Sequence, residues 1–147
     1  LIENYSKYPP IGKRGAGFGF AHNDYQNQNP NEIMKAANKN LVNIIQIESK
    51  SGLENVEKIA ENQSVDCLWV GHYDLTNFLG IPGDFNSKMY LDAIDRIVAA
   101  AKSNKKSLGI MVSNEKDLGF YEKLGFNIIA VGTEMLFLSQ SIKKLIF

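Results

Sequence analysis

From residue 30 onward, short apolar runs alternate with longer stretches in which apolar side chains return every three or four positions. The first kind suits strands buried between layers, and the second suits helices with one buried face. Asn29-Pro30-Asn31-Glu32 combines a capping side chain, a proline at the first helical position and an acid near the positive end of the dipole. That combination predicts a helix over about residues 30–39. A strand over about 42–47 follows. Ser51-Gly52-Leu53-Glu54 has the spacing of a capping box, and Leu53, Val56, Ile59 and Ala60 mark a helix ending near Asn62. The next strand covers about 67–71.

From Asp74 to Asn86 the chain reads as a long shaped loop. Leu75 to Leu79 offer at most one short helical turn before Gly80, Pro82 and Gly83 stop it. Leu91, Ile94, Ile97, Val98 and Ala101 form the buried stripe of a helix over about 87–104, and Leu108 to Val112 make a third strand. A helix over about 115–124 ends at Leu124-Gly125, Ile128 to Val131 make a fourth strand, and Met135, Leu138, Ile142 and Leu145 line a last helix. Four strand-helix units with apolar strands imply an α/β fold whose parallel strands are buried on both faces. A doubly wound sheet and a closed (β/α)8 TIM barrel both satisfy the pattern. A barrel usually takes ~250 residues, so four units amount to about half of one.

Before residue 30 the chain is irregular and rich in glycine and proline, and Leu1 opens in what reads as the tail of a helix. The first residue is not methionine. We therefore expect residues 1–147 to be a single partial domain, a piece of something longer. At 147 residues and 44% hydrophobic content the chain can bury one core. Sixteen basic and sixteen acidic residues cancel without a long block of either sign, so nucleic acid and anionic lipid are not the expected partners. The expected partner is a small molecule. No run approaches the ~18 apolar residues of a membrane span, and residues 1–5 lack a secretion-signal layout. The lone Cys67, inside an apolar run, reads as a buried structural thiol. Together these features predict a soluble protein of the cytoplasm.

Two acids stand out. Glu48 closes the run Leu41 to Ile47, and Asp74 follows the run Cys67 to Val70 by four residues. If the strands are parallel neighbours, both acids emerge at the C-terminal end of the sheet, where barrel enzymes concentrate their chemistry. A magnesium-like ion can be held there by a few carboxylates, with water and substrate oxygens completing the octahedron. Each acid also has a plainer reading: Glu48 as a partner of lysine, Asp74 as the N-cap of the Leu75–Leu79 turn. Gly71, His72 and Tyr73 supply backbone N–H groups beside Asp74 that could grip a carboxylate. His72 itself reads first as a packed neighbour, with general base as the alternative, and His22 has an equally slight case. Without a His-x3-His or His/Cys cluster, a zinc site is not expected. Arg14, in a loop fixed by Pro9, Pro10 and Gly12, could pair with an anionic group or lie on the surface. Gly15-Ala16-Gly17-Phe18-Gly19 lacks the Lys-Ser/Thr of a phosphate loop, and Ser6, Ser49 and Ser113 have no nearby histidine-acid pattern.

Tyr8-Pro9-Pro10-Ile11-Gly12-Lys13-Arg14-Gly15 resembles the YPPxGxRG segment of the HpcH/HpaI aldolases, metal-dependent class II pyruvate aldolases acting on 2-oxo-4-hydroxy acids. Ile45-Gln46-Ile47-Glu48-Ser49 resembles that family's xQIE(T/S) strand end. Gly71-His72-Tyr73-Asp74-Leu75-Thr76, with Leu79-Gly80-Ile81-Pro82-Gly83, resembles its GPxDLS…LGxPG loop. The three motifs come in order and span nearly the whole chain.

The resemblance implies a TIM barrel of which this chain carries about the C-terminal half. It implies a carbon-carbon lyase that reversibly cleaves a 2-oxo-4-hydroxy acid to pyruvate and an aldehyde. Glu48 and Asp74 would be the metal ligands for Mg2+, Mn2+ or Co2+. Gln46, Gly71, His72, Tyr73 and Met111 would be substrate-binding, with Met111 as apolar lining. It also implies a homo-oligomer, a trimer or hexamer, in the full-length form. The family's histidine-aspartate dyad and pyruvate-binding arginine come from the first half of the barrel, so no catalytic residue is assigned here and no turnover is expected from this chain alone. The family usually has proline where His72 stands. Two other readings share these features: a citrate lyase beta-like acyl lyase, and a non-catalytic truncated barrel module that acts in assembly or binding through open strand edges.

Overall fold

The computed structural model describes residues 1–26 and 28–146. They form two compact units, residues 1–42 and residues 43–147. The first opens with helix α1 (Ile2–Ser6), continues through an irregular segment with a single 3-10 turn at Ala21–Asn23, and ends with α2 (Pro30–Asn40). α2 starts as its sequence dictates: the Asn29 side chain accepts the Asn31 N–H and Pro30 occupies the first turn. Tyr8, 1% exposed, is anchored to α2 through Asn38, whose side chain accepts the Tyr8 N–H at 2.7 Å and donates to its carbonyl at 3.0 Å. The Arg14 guanidinium lies 4.6 Å from the centre of the Tyr8 ring, a cation-π contact.

The second unit holds four strands, β1 (Ile44–Ile47), β2 (Cys67–Val70), β3 (Ser107–Val112) and β4 (Ile128–Val131). All neighbours are parallel and the sheet order is β1-β2-β3-β4, the order of the sequence. A doubly wound sheet reverses strand order at a switch point, and a barrel does not. The arrangement of the core agrees with the barrel. Ile47, Leu68, Val70, Leu108, Ile110 and Val112 all join one hydrophobic cluster with Ile94, Ile97 and Ala101 of α6 (Lys88–Ser103), so helices cover a single face of the sheet. The opposite face is only partly covered: Ile44 is 48% exposed, and Trp69 and Met111 are half-buried. This corrects the expectation of strands buried on both faces.

The strand-end helices also correct several expected boundaries. The turn after β1 is capped by Ser49, whose Oγ accepts the Gly52 N–H at 3.1 Å, two residues before the expected capping box. Two short helices follow, α3 (Lys50–Glu54) and α4 (Val56–Glu61), because Asn55 leaves helical geometry with ψ 12°. After β2, α5 (His72–Phe78) begins directly at Gly71 and runs for seven residues, longer and earlier than the expected single turn. Asp74 therefore sits inside its first turn and is not an N-cap. Gly80, at φ +78°, ends the segment in a backbone region that suits glycine. α7 (Glu115–Leu124) and its left-handed Gly125 cap match the sequence expectation, and α8 (Glu134–Ile146) follows β4. Cys67 is free and buried, and burial pushes its thiol up to about 11. No helix among the described residues is long and apolar enough to cross a membrane.

Candidate active site

Strand register positions the first group of residues. Ile47 of β1 is level with Val70 of β2, and Val70 with Ile110 of β3. One step further along, Glu48, Gly71 and Met111 stand in a row at the C-terminal end of the sheet. The Gly71 N–H donates to the Ile47 carbonyl at 3.1 Å, which carries the ladder into this row. Side chains alternate along a strand, so Glu48 and Gln46 share the face opposite Ile47, and Met111 shares it opposite Ile110 and Val112. This face points away from the helix-covered core.

The row is tightly fitted around Glu48. Gln46 Nε2 donates to Glu48 Oε2 and holds the carboxylate in one orientation. A Cβ on Gly71 would lie 2.7 Å from Glu48 Cβ, 2.8 Å from Gln46 Nε2 and 3.0 Å from Glu48 Oε2, so any larger residue would displace the pair. The Gly71 N–H belongs to the sheet. At the start of α5 the amides of His72, Tyr73 and Asp74 precede the first helical bond, which the Leu75 N–H makes to the Gly71 carbonyl at 2.8 Å. Asp74 is exposed at the same end of the sheet, on α5. Neither Glu48 nor Asp74 forms an ion pair among the described residues, where Lys88–Asp92 and Arg96–Glu57 are the pairs present. No lysine among the described residues pairs with Glu48.

A second group lines a cleft of about 270 Å³ beyond the ends of β2 and β3. His72 and Tyr73 from α5 and Met111 from β3 reach it, together with residues that sequence reasoning passed over: Phe85, Asp117 and Tyr121. His72 packs against Tyr73 and Phe85, with ring centres 4.8 and 5.1 Å away. Burial among these rings lowers its pKa from the ordinary 6.5, with Asp117 acting weakly in the opposite direction. The imidazole is a packed one, as the sequence suggested. The Tyr121 hydroxyl, at the back, lies 2.7 Å from that of Tyr90. The Asn114-x-x-Asp117 spacing could have pointed to one wall: Asn114 caps α7 by accepting the Asp117 N–H at 2.9 Å and donates to Asp117 Oδ2 at 2.7 Å. Nothing in sequence spacing couples Tyr90 to Tyr121.

Set beside known proteins, residues 1–140 match the model of the HpcH/HpaI aldolase/citrate lyase family. The chain belongs to this family. It is 35% identical over 130 residues to a 5-keto-4-deoxy-D-glucarate aldolase of Escherichia fergusonii, covering 88% of this chain and 50% of the relative. It is 34% identical over 136 residues to a hydroxypyruvate/pyruvate aldolase of Chromohalobacter salexigens, covering 92% and 53%. Among solved structures, a HpcH/HpaI aldolase/citrate lyase family protein of Burkholderia cenocepacia superposes with TM-score 0.87 at 28% identity, covering 95% of this chain and 55% of that one. A HpcH/HpaI aldolase of Desulfitobacterium hafniense, at 24% identity and TM-score 0.88, shares the fold over 98% of this chain and 56% of its own. The chain therefore spans about half the length of the family members it matches.

The donor chemistry suits a hard divalent cation of the kind class II aldolases use. Two carboxylates without an ion-pair partner among the described residues stand at one end of the sheet, and the orientation of one is fixed by an amide behind it. No group of three or more His, Cys, Asp or Glu that could hold an ion occurs among the described residues. Such an ion would draw its remaining ligands from water and substrate oxygens.

Proposed function

We propose that this chain supplies the metal-binding half of a class II aldolase, a carbon-carbon lyase that reversibly cleaves a 2-oxo-4-hydroxy acid to pyruvate and an aldehyde. The observation that carries the reading is the fitted triplet Gln46, Glu48 and Gly71 at the C-terminal row of the sheet. Glu48 and Asp74 would hold Mg2+, Mn2+ or Co2+, and the bound ion would withdraw electron density from the 2-oxo and carboxylate oxygens of the substrate. Gln46 keeps the Glu48 carboxylate aimed, and Gly71 leaves the space that this aim requires. The His72 and Tyr73 amides would donate to an anionic oxygen of the 2-oxo acid. Met111 closes the row with an apolar wall that limits water near the reacting carbons. No group here is assigned the proton transfers, so the chain alone would bind without turning over. The reading extends to a trimeric or hexameric full-length enzyme in the cytoplasm.

Calorimetric titration with Mn2+ tests the proposal. One site is expected, weakened at least tenfold in Glu48→Ala and in Asp74→Ala, since each removes a charged ligand. Gly71→Ala, which leaves both acids in place, should also weaken it by displacing Glu48. Unchanged affinity in either acid variant would overturn the assignment.

A further inference from the structure

The two halves of the loop motif after β2, Gly71 to Thr76 and Leu79 to Gly83, meet at one buried hydroxyl. Thr76 is 0% exposed, the most deeply buried polar side chain among the described residues. Its Oγ1 donates to the Tyr73 carbonyl at 2.8 Å and accepts the Gly83 N–H at 3.1 Å. Its own carbonyl accepts the Ile81 N–H at 2.9 Å. Ile81 and Gly83 belong to the second half, which turns back towards α5 through left-handed backbone at Gly80 and Gly83, φ +78° and +73°. Just beyond it, Phe85 lays its ring against His72 and Tyr73, each ring centre 5.1 Å away. The first turn of α5 is therefore held at two points, the Tyr73 carbonyl and the pair of rings.

A residue that only filled this space could be valine, which has the same shape. A helical threonine often bonds back to its own helix, as Thr76 does to Tyr73. Here the hydroxyl also takes an amide seven residues further on. The Tyr73 carbonyl and the Asp74 N–H belong to one planar peptide group, so whatever fixes that plane also fixes where the Asp74 side chain starts. We infer that Thr76 is a positioning residue for Asp74: its hydroxyl ties the Tyr73–Asp74 peptide to the Gly80–Gly83 return, and the aim of the exposed carboxylate depends on that tie. The inference rests on the metal-binding reading, because the aim of Asp74 has consequences through the ion it would hold.

Two substitutions at one position separate shape from hydrogen bonding. Thr76→Val keeps the shape and removes both bonds, whereas Thr76→Ser keeps both bonds and removes a methyl. Mn2+ affinity should fall about tenfold in Thr76→Val, the low end of what partners behind a metal ligand contribute, and return close to native in Thr76→Ser. Ile97→Val thins the core on α6 and should lower stability in urea while leaving Mn2+ affinity native, so lost stability alone does not mimic the effect. Gly83→Ala, whose Cβ meets nothing but whose left-handed φ is strained, disturbs the same bond from its far end. It should weaken Mn2+ binding in the same direction, and it decides the matter if the valine chain does not fold. Without metal, the Asp74 amide signal in NMR should move in Thr76→Val and stay near its native place in Thr76→Ser. An Asp74 signal unmoved in Thr76→Val, native Mn2+ affinity in that variant, or a Thr76→Ser chain as weak as Thr76→Val would overturn the inference. A native chain that takes up no Mn2+ would refute the metal reading instead, and the metal-free Asp74 signal would still decide whether the hydroxyl fixes that turn.

Discussion

The paired phenols of Tyr90 and Tyr121 show how a polar group survives inside this core. Both are buried, at 0% and 7% exposure, and their hydroxyls meet at 2.7 Å, one donating and the other accepting. Burial raises the pKa of each, so both stay neutral throughout the range in which the protein would be handled. The pair contributes little net energy over its desolvation, but a lone survivor is costly. Tyr121→Phe leaves the Tyr90 hydroxyl buried without its partner and should cost about 1–3 kcal/mol in urea unfolding. The double change to phenylalanine should cost less than the sum of the singles, because it removes both orphans together. Additive losses in the double-mutant cycle would show that the hydroxyls are not coupled.

Strands and helices place the candidate site through backbone fit as much as through side-chain chemistry. On β3, Gly109 is level with Trp69 of β2, and a Cβ there would run into the Trp69 ring and lie 3.1 Å from the Cys67 sulfur. Gly109→Ala should therefore force the indole aside. We expect a loss of about 1–3 kcal/mol and a shift in Trp69 fluorescence; an unchanged spectrum with native stability would show that the ring has room. Such cross-strand fits cannot be read from sequence, because they depend on register between segments forty residues apart. Local signals were legible: Asn29 caps α2 as its type suggests, and the apolar periods of α6 mark its buried face. The division at Asn55 and the early start of α5 were not, since a glycine N-cap at Gly71 resembles a loop residue until its strand is in view. In the candidate site, Glu48 and Asp74 were legible as acids at or just beyond strand ends, whereas Gln46 entered only through the motif it resembles. Asp117 and Tyr121 were not, because α7 carries them into a cleft whose other wall is α5.

The four-stranded sheet leaves two edges unpaired among the described residues, β1 on one side and β4 on the other. Ile44 on β1 is 48% exposed and Val131 on β4 is 50% exposed, and the chain spans about half the length of its relatives. Open apolar strand edges present unpaired N–H and C=O groups that another strand can satisfy. This gives physical content to the alternative of a non-catalytic assembly module. Association and the proposed metal site are separable at the β4 edge, because Gln46 and Glu48 stand on or next to β1, the edge strand on the other side of the sheet. The chain should self-associate, with an average mass in sedimentation equilibrium that rises with concentration. Val131→Lys, which puts a charge on the edge strand β4, separated from β1 by β2 and β3, should shift association to higher concentration while leaving Mn2+ affinity unchanged. A native chain that stays monomeric at every concentration would remove the edges as assembly surfaces. A Val131→Lys variant that lost Mn2+ binding together with association would mean that the metal site forms only between associated chains.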